Sequence, residues 1–172
     1  MRDAIVASVT LDIFNKHSER VVMANLAQTV NVLQAVVLTD GEKMVLTPTY
    51  HVFDLFKGHH DATLLGHWLE PGETGNENTK LPQLSLTASE KDGKIVLTIT
   101  NISAVKSAEI KCSIPDIDCT NIKGRILTGA IDALNDFTNV NNVSIKPFKD
   151  VKGTTGEFEC TLPPCAVAEL VI

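Results

Sequence analysis

Closely spaced carboxylates are the residues of this chain whose type and spacing could support acid–base or nucleophilic catalysis. Two carboxyl groups on one face of a strand could act as a general acid and as a base or nucleophile. Three pairs occur: Asp116 and Asp118, Glu157 and Glu159, and Asp132 and Asp136. All of them fall in predicted loops or sandwich strands, so we interpret them as solvated surface carboxylates. The sequence therefore predicts no catalytic residue in this chain.

Gln28 is the residue that we predict to bind a substrate. It follows the compact apolar run from Val21 to Leu26 by two residues, and we interpret that run as a buried parallel strand. In a (β/α) barrel the carboxyl ends of the strands form the face where substrate binds. A neutral amide both donates and accepts hydrogen bonds, which suits an uncharged polar ligand. The alternative is an amide that satisfies the loop backbone, and we interpret the flanking Asn25 and Asn31 as structural.

The histidines and cysteines do not form a pattern typical of a metal site. His59 and His60 precede Asp61 directly, but adjacent side chains rarely converge on one ion without a third partner. The four cysteines lack the tight C-x-x-C pairs of a zinc site. These cysteines are Cys112, Cys119, Cys160 and Cys165. We predict no metal and no cofactor, and we expect reduced, half-buried thiols.

Trp68 is the only tryptophan, and it lies in a predicted strand beside His67. Its ring could stack on a sugar ring. A lone tryptophan in a β-sandwich is more often part of the core or of an interface, and we favour that interpretation.

Residues 1–60 have the pattern of a helix, a strand, a loop and a second helix. Apolar residues recur at helical spacing from Asp3 to Lys16. The second helix is predicted to begin at Thr47-Pro48, where a capping hydroxyl precedes a proline at the first helical position. Gly58 is predicted to terminate this helix. One such unit cannot close a barrel alone.

From residue 61 onward the pattern changes to short alternating runs. The predicted strands are Ala62 to Leu69, Gln83 to Ser89, Lys94 to Thr100, Ala108 to Ser113, Asn121 to Thr128, Ser144 to Phe148, Gly156 to Leu162 and Ala166 to Ile172. Asp92-Gly93 is a tight hairpin signal. Glu70 to Pro82, rich in Gly, Asn, Pro and charge, is predicted to be a surface loop. Seven or eight such strands indicate an antiparallel sandwich.

Length and charge limit the partners. A chain of 172 residues is long enough to bury a real core. Its net charge of −6 argues against a nucleic-acid partner, which would need a basic face. No apolar run approaches the ~20 residues that a membrane helix needs. We therefore expect neither nucleic acid nor membrane as a partner.

Long strings of the sequence carry a family resemblance. Within residues 20–56 these are MANLAQTVNVLQA and LTDGEKMVLTPTYHVFDLF; DAIVASVTLDIFNK lies near the start, and GRILTGAIDALNDFTN and LPPCAVAELVI lie near the end. They resemble the C-terminal region of the α-L-arabinofuranosidases of glycoside hydrolase family 51. The resemblance covers nearly the whole chain and is weakest between residues 70 and 114.

The resemblance implies a mainly β fold. We expect an antiparallel, jelly-roll-like β-sandwich preceded by a helix-strand-helix segment from the end of a (β/α)8 barrel. Residues 1–60 would be the last α/β unit of a truncated barrel, and residues 61–172 would be the C-terminal β-sandwich domain.

The resemblance also implies an activity. The parent would be a retaining enzyme that hydrolyses terminal arabinofuranosyl groups of arabinan or arabinoxylan. The family's two catalytic glutamates lie upstream, on earlier barrel strands, so this chain should be inactive alone. A substrate-binding glutamine of the family matches Gln28. We expect arabinofuranosyl polysaccharides or oligosaccharides as partners through the full-length enzyme. We also expect a homo-oligomer, because residues 1–60 carry apolar faces made for absent barrel neighbours.

The alternative is a non-catalytic module, either a carbohydrate-binding or a structural β-sandwich. Two features argue against it. A binding module has no need of a barrel-like strand followed by ANLAQTVN, and an aromatic content of 5% is low for sugar stacking.

Overall fold

The computed structural model describes residues 1–27 and 29–172. Within these ranges it contains two α-helices, a short 3-10 turn and twelve β-strands. In chain order they are α1 (Arg2–Lys16), β1 (Val37–Asp40), β2 (Lys43–Leu46), α2 (Pro48–Phe56), the 3-10 turn (Lys57–His59), β3 (Thr63–Leu64), β4 (Glu73–Gly75), β5 (Lys80–Pro82), β6 (Leu84–Lys91), β7 (Lys94–Asn101), β8 (Ala108–Asp118), β9 (Lys123–Thr128), β10 (Lys146–Phe148), β11 (Val151–Leu162) and β12 (Ala166–Val171). Neither of these helices is long or apolar enough to cross a membrane.

Most strands form a two-layered antiparallel sandwich. The larger layer is a six-stranded sheet with the order β10-β9-β12-β7-β6-β3. The smaller layer is the antiparallel pair β8 and β11. Apolar side chains of both layers meet in the larger core, where Phe158, Leu162 and Leu170 are fully buried. The expected mainly β, antiparallel sandwich fold is confirmed.

The hairpin signal at Asp92-Gly93 is also confirmed. β6 and β7 pair up to Lys91 opposite Lys94, so Asp92 and Gly93 form a two-residue turn. Their φ angles are +53° and +75°. Two successive positive φ angles give the turn whose twist matches that of the flanking strands.

The two helices cover the face of the six-stranded sheet that points away from β8 and β11. Side chains of α1 and α2 form a second core with β9 and β12, in which Leu55 and Val52 of α2 contact the buried Leu127 and Val167 of the sheet. Both predicted helices are confirmed, with Pro48 at the start of α2. Residues 1–60 therefore pack directly on the strands that follow them.

The contact between α1 and β6–β7 is polar and buried. Asp12 accepts hydrogen bonds from Ser85 Oγ at 2.5 Å and from Thr87 Oγ1 at 2.6 Å. One turn earlier, Ser8 Oγ lies 2.5 Å from Thr100 Oγ1. Asp12 is fully buried. Because a buried polar group is costly without its partner, these bonds fix the position of α1 along the sheet.

His59 anchors the turn after α2 to the same face of the sheet. Its Nδ1 lies 2.7 Å from Ser89 Oγ, and its Nε2 lies 3.0 Å from Thr98 Oγ1. Both ring nitrogens therefore have hydroxyl partners. Burial lowers the pKa of His59 to about 4, so the ring is neutral near pH 7.

Arg125 of β9 connects α2 to the sheet. Its Nε donates to Glu169 Oε2 of β12 at 2.6 Å, and its Nη1 donates to Asp54 Oδ2 of α2 at 2.9 Å. Lys57 also pairs with Asp54. Burial raises the pKa of Asp54, but Lys57 and Arg125 outweigh it and hold that pKa below its ordinary value.

The predicted buried strand from Val21 to Leu26 is wrong for this chain. These residues have no regular secondary structure, and Val22 and Met23 are 92% and 71% exposed. A strand needs neighbours for its N–H and C=O groups. Within residues 1–27 and 29–172 no strand pairs with this run.

Two short hairpins were not predicted. β1 and β2 form one inside the expected loop before α2, and β4 and β5 form another inside the expected surface loop. The predicted strand from Ala62 to Leu69 shrinks to Thr63–Leu64. The remaining strands predicted after residue 82 are present, with ends shifted by a few residues.

The buried Asp12 and His59 should give opposite pH dependences of the free energy of unfolding. Burial raises the pKa of Asp12 from 3.8 to about 6, so its stabilising contribution is complete below pH 3.8 and is lost as the pH rises to about 6. The pKa of His59 falls from 6.5 to about 4, so its contribution is complete above pH 6.5 and is lost as the pH falls to about 4. Each effect amounts to about 3 kcal/mol.

Urea unfolding at pH 4, 5, 6 and 7 tests this compensation. Relative to the variant with both changes, Asp12→Asn should lose stability on acidification and His59→Gln should gain it. Measured against the same reference, the free energy of unfolding of the chain with both native residues should stay nearly constant between pH 4 and 6. Parallel pH profiles for the two single variants would contradict the assignment.

Candidate functional site

The predicted substrate-binding residue, Gln28, lies outside the described residues. The structure describes the segments on both sides of it, residues 21–27 and 29–36. Ala24, Asn25 and Leu26 line a groove against the two helices, and Asn25 is exposed. The candidate site is therefore built here from the residues that flank Gln28.

The groove beside residues 24–26 has a volume of about 160 Å³. Its wall on α1 is mainly apolar and includes Val6, Leu11 and Phe14, while α2 contributes Phe53. A neighbouring groove of about 440 Å³ lies beyond Gln34 and extends to the loop of residues 131–135. The second groove is lined by the first residues of both helices.

The segment after Gln28 is fastened to the start of the β1–β2 hairpin. Thr29 O accepts hydrogen bonds from Val36 N at 2.9 Å and from Val37 N at 3.1 Å. Val30 and Val37 form a parallel bridge. Residues 29–31 therefore run alongside residues 36–39, and residues 32–35 form the turn between them.

Asn31 closes this arrangement with its side chain. Its Nδ2 donates to Thr39 O at 3.1 Å and to Thr39 Oγ1 at 2.9 Å, while its Oδ1 accepts from Thr39 N at 2.7 Å. Its backbone N–H donates to Val37 O at 3.2 Å. The Asn31 amide therefore pairs with the backbone of Thr39 as a neighbouring strand would. No sequence motif predicted this contact.

The hairpin is in turn anchored to the β-sandwich. Thr47 Oγ1 donates to Ala35 O at 2.8 Å, so its hydroxyl holds the preceding turn instead of capping α2 as the sequence predicted. Asn135 Nδ2 donates to Leu46 O at 2.8 Å and to Val143 O at 2.8 Å. Asn135 lies almost 90 residues after Leu46, so no local sequence signal could have revealed this contact.

Several large apolar side chains of α1 and of residues 21–27 and 29–33 are exposed. Val22, Met23 and Leu33 project into solvent, and Leu33 is 95% exposed. On α1, Ile13 and Phe14 are also exposed. Exposed apolar side chains are typical of a site of protein contact when they lie together on one surface.

The six paired carboxylates all lie on the surface of the sandwich or its loops. Glu159 pairs with Lys111 at 3.3 Å, and Asp136 accepts backbone hydrogen bonds from Thr138 and Asn139. Asp12 is the buried carboxyl with a strongly raised pKa, but α1 and the sheet enclose it completely. A substrate has no route to Asp12, so its role is structural.

Trp68 is not part of the core. It is 87% exposed and lies beyond β3, in a segment that follows the edge of β6. Leu65 N donates to Ala88 O and Leu84 N donates to Pro71 O, so the segment is held to β6 on both sides of Trp68.

The four cysteines are free thiols. Three of them are buried and Cys112 is half-buried. Burial raises the pKa of Cys160 to about 12, which makes its thiolate inaccessible near neutral pH. His59 and His60 do not converge with Asp61, and in residues 1–27 and 29–172 no group of three His, Cys, Asp or Glu side chains could hold a metal ion.

Comparison with known proteins identifies the family. The family model described as "Alpha-L-arabinofuranosidase C-terminal domain" matches residues 1–166. This chain belongs to that family. The "Intracellular exo-alpha-L-arabinofuranosidase" of Bacteroides ovatus is 41% identical over 173 residues, which are 99% of this chain and 34% of that protein.

Solved structures of α-L-arabinofuranosidases share the fold. The glycoside hydrolase family 51 arabinofuranosidase of Xanthomonas axonopodis pv. citri is 40% identical with a TM-score of 0.93, over 98% of this chain and 34% of that one. An α-L-arabinofuranosidase of Thermotoga maritima has a TM-score of 0.84 at 24% identity, over 98% of this chain and 37% of that one, and shows the fold alone. The chain thus spans about a third of the length of the arabinofuranosidases that it matches.

Proposed function

We propose that this chain is the C-terminal portion of a retaining α-L-arabinofuranosidase that releases terminal arabinofuranosyl groups from arabinan or arabinoxylan. The observation that carries the proposal is its similarity to the Xanthomonas enzyme, at 40% identity and a TM-score of 0.93 over 98% of the chain. The name of the Bacteroides relative describes an exo-acting arabinofuranosidase, which supports removal of terminal groups.

In this proposal residues 1–60 are the last α/β unit of a (β/α)8 barrel and residues 61–172 are the β-sandwich domain. The exposed apolar side chains of residues 21–33 and of α1 support it. The run from Val21 to Leu26 has the composition of a buried strand, yet its Val22 and Met23 are exposed. Neighbouring barrel strands would provide the hydrogen-bond partners that no strand within residues 1–27 and 29–172 offers this run.

Gln28 would bind the sugar in this proposal. Its amide suits a neutral furanose hydroxyl, because it both donates and accepts. The support lies in the neighbouring residues: the segment that begins at Thr29 is fastened to the hairpin by several hydrogen bonds.

The chemistry would come from elsewhere in the polypeptide. Retaining glycosidases place an acid/base carboxyl and a nucleophilic carboxylate about 5 Å apart across the scissile bond. The exposed carboxylates of the sandwich and the enclosed Asp12 do not meet that requirement. We therefore assign no catalytic residue to this chain.

The isolated chain should not hydrolyse a chromogenic arabinofuranoside, because acid–base and covalent catalysis each require a positioned group. The full-length enzyme assayed in parallel is the positive control. Turnover that survives purification and disappears when an acidic residue of this chain is replaced would overturn the prediction.

We also propose that the protein is a homo-oligomer, with the apolar face of α1 as the contact in the isolated chain. Sedimentation velocity should show association, and replacing Ile13 and Phe14 together by lysine should shift it toward monomer because charge is costly in an apolar contact. Replacing the exposed Val105 by lysine is the matched control. A monomer at high concentration in the unchanged chain would contradict self-association.

In the full-length enzyme, Gln28→Ala should lower kcat/KM by about ten- to a hundredfold. That range follows from losing one directed hydrogen bond to the sugar, which costs roughly 1–3 kcal/mol. The melting temperature should hardly change. Asn78→Ala, at an exposed amide between β4 and β5 and away from the groove, is the matched control and should leave both quantities unchanged. A lower melting temperature with unchanged kcat/KM would assign Gln28 a structural role instead.

One observation favours a second candidate, a carbohydrate-binding function of the sandwich. Trp68 presents its ring to solvent from a segment that is held on both sides by hydrogen bonds to β6. An amphipathic, rigidly mounted indole is suited to stacking on the apolar face of a sugar ring.

Fluorescence titration tests this candidate directly, because Trp68 is the only tryptophan. Arabinoxylan oligosaccharides should shift the emission of the isolated chain to shorter wavelength, and Trp68→Ala should lose retardation in arabinoxylan-containing gels. Leu81→Ala, at a half-exposed apolar residue, should be retarded like the unchanged chain. Constant emission at saturating oligosaccharide would exclude the candidate.

A further inference from the structure

The second groove, of about 440 Å³, is bordered by the first residues of both helices and by residues 131–135. We propose that the N-terminus of α2 binds a small oxyanion in this groove, either a phosphate or the carboxylate of an acidic sugar. The site is independent of the hydrolysis proposed above, because it uses neither Gln28 nor a barrel strand. Three observations carry it: the open start of α2, the unpaired hydroxyl of Thr49 and the balance of charge around the groove.

The N-terminus of α2 has no capping side chain. Thr47 is the N-cap residue, but its Oγ1 donates to Ala35 O at 2.8 Å and does not cap the helix. Pro48 has no backbone N–H, and those of Thr49 and Tyr50 have no acceptor in the part of the chain that the structure describes. Free N–H groups and the positive end of the helix dipole together favour an anion at such a terminus.

Thr49 is a second sign of a ligand, independent of the helix dipole. The residue is only 4% exposed, and it lines both grooves. Among the described residues its Oγ1 has no hydrogen-bond partner, yet the fully enclosed unpaired side-chain atom found there is His51 Nε2 and not this hydroxyl. Thr49 Oγ1 is therefore open to a groove. A hydroxyl loses free energy when it leaves water without a partner, and an oxyanion in the second groove would accept its hydrogen bond.

The charged groups around the second groove nearly cancel. The Met1 ammonium and Arg2 are positive, and Asp3 and Asp132 are negative. The ammonium donates to Ala133 O, whereas the Arg2 side chain is 81% exposed and uses its Nε, at 3.4 Å from Asp3 Oδ1. Asp3 lies in the first turn of α1 and offsets the dipole of that helix, but the first turn of α2 contains no acidic residue. The anion is therefore expected at α2, with the remaining guanidinium N–H groups of Arg2 in the same groove.

An NMR titration of the isotope-labelled chain tests the site. Phosphate and glucuronate are the two anionic probes, and glucose is the neutral control for the sugar ring. We expect phosphate, glucuronate or both to shift the amide signals of Thr49 and Tyr50 in a saturable manner, because those N–H groups would donate to the oxyanion. Glucose should leave the two signals unchanged. Saturation by one anion alone identifies the source of the oxyanion.

Thr49→Val separates ligand binding from stability. It removes the hydroxyl but nearly keeps the shape of the side chain, so binding of the anion should weaken about tenfold or more. The melting temperature should stay the same or rise, because no hydrogen bond within the described residues is lost. A hydroxyl with a structural role would instead lower the melting temperature and leave the affinity for the anion unchanged, which would overturn the inference.

Charge variants test the sign of the ligand. Arg2→Gln should weaken binding of the anion about two- to fivefold, and Asp132→Asn should strengthen it by a similar factor. Arg20→Gln is the matched control, because Arg20 is also exposed and paired with a neighbouring carboxylate, Glu19, but does not line the groove. No saturable shift with either anion, an equal response to glucose, or effects of the two charge variants no larger than that of Arg20→Gln would contradict the oxyanion site.

Discussion

The placement of residues 1–60 depends on the pair of hydrogen bonds that Asp12 accepts from Ser85 and Thr87. An apolar helix can slide along an apolar sheet at little cost, but a buried carboxyl cannot leave its two hydroxyls without losing both partners. Asp12 therefore fixes α1, and α1 contacts α2. The groove beside residues 24–26 is lined by both helices, so its shape depends on where this pair of helices is held.

The face of the sheet that the helices cover has an apolar region and a polar region, and each contacts the helices differently. Toward β9 and β12 it is apolar and binds the helices by burial of side chains such as Leu127 and Val167. Toward β6 and β7 it presents hydroxyls, and there Asp12 and His59 supply complementary polar groups. Apolar burial supplies the larger share of the binding free energy, whereas the polar contacts select one arrangement among many. Arg125 reinforces this selection at the far end of α2.

The elements governed by local chemistry were predictable from the sequence. The helix starting at Pro48, the turn at Asp92-Gly93 and the alternating strands after residue 82 each carry their own signal within a few residues. The run from Val21 to Leu26 carries a strand signal as well, but a strand exists only where a neighbour pairs with it. Local pattern cannot report whether that neighbour is present.

The candidate site shows the same limit more sharply. The resemblance pointed to Gln28, whereas the contacts that hold its surroundings join residues distant in the sequence, such as Asn135 and Leu46. The hydrogen bonds of Asn31 agree with its interpretation as a structural amide. The periodicity of the sequence could not predict that its partner is Thr39. Hydroxyl and amide contacts of this kind depend on tertiary geometry, and a single sequence contains no spacing rule for them.

The packing of α1 on the sheet bears on how members of this family could be recombined. A chimaera of two family members joined at residue 60 would follow the apparent boundary between helical and β patterns. It would also separate Asp12 from Ser85 and Thr87, and Asp54 from Arg125. A crossover placed before Arg2 keeps each of these pairs within one parent. The unit of exchange is therefore the sheet together with both helices that rest on it.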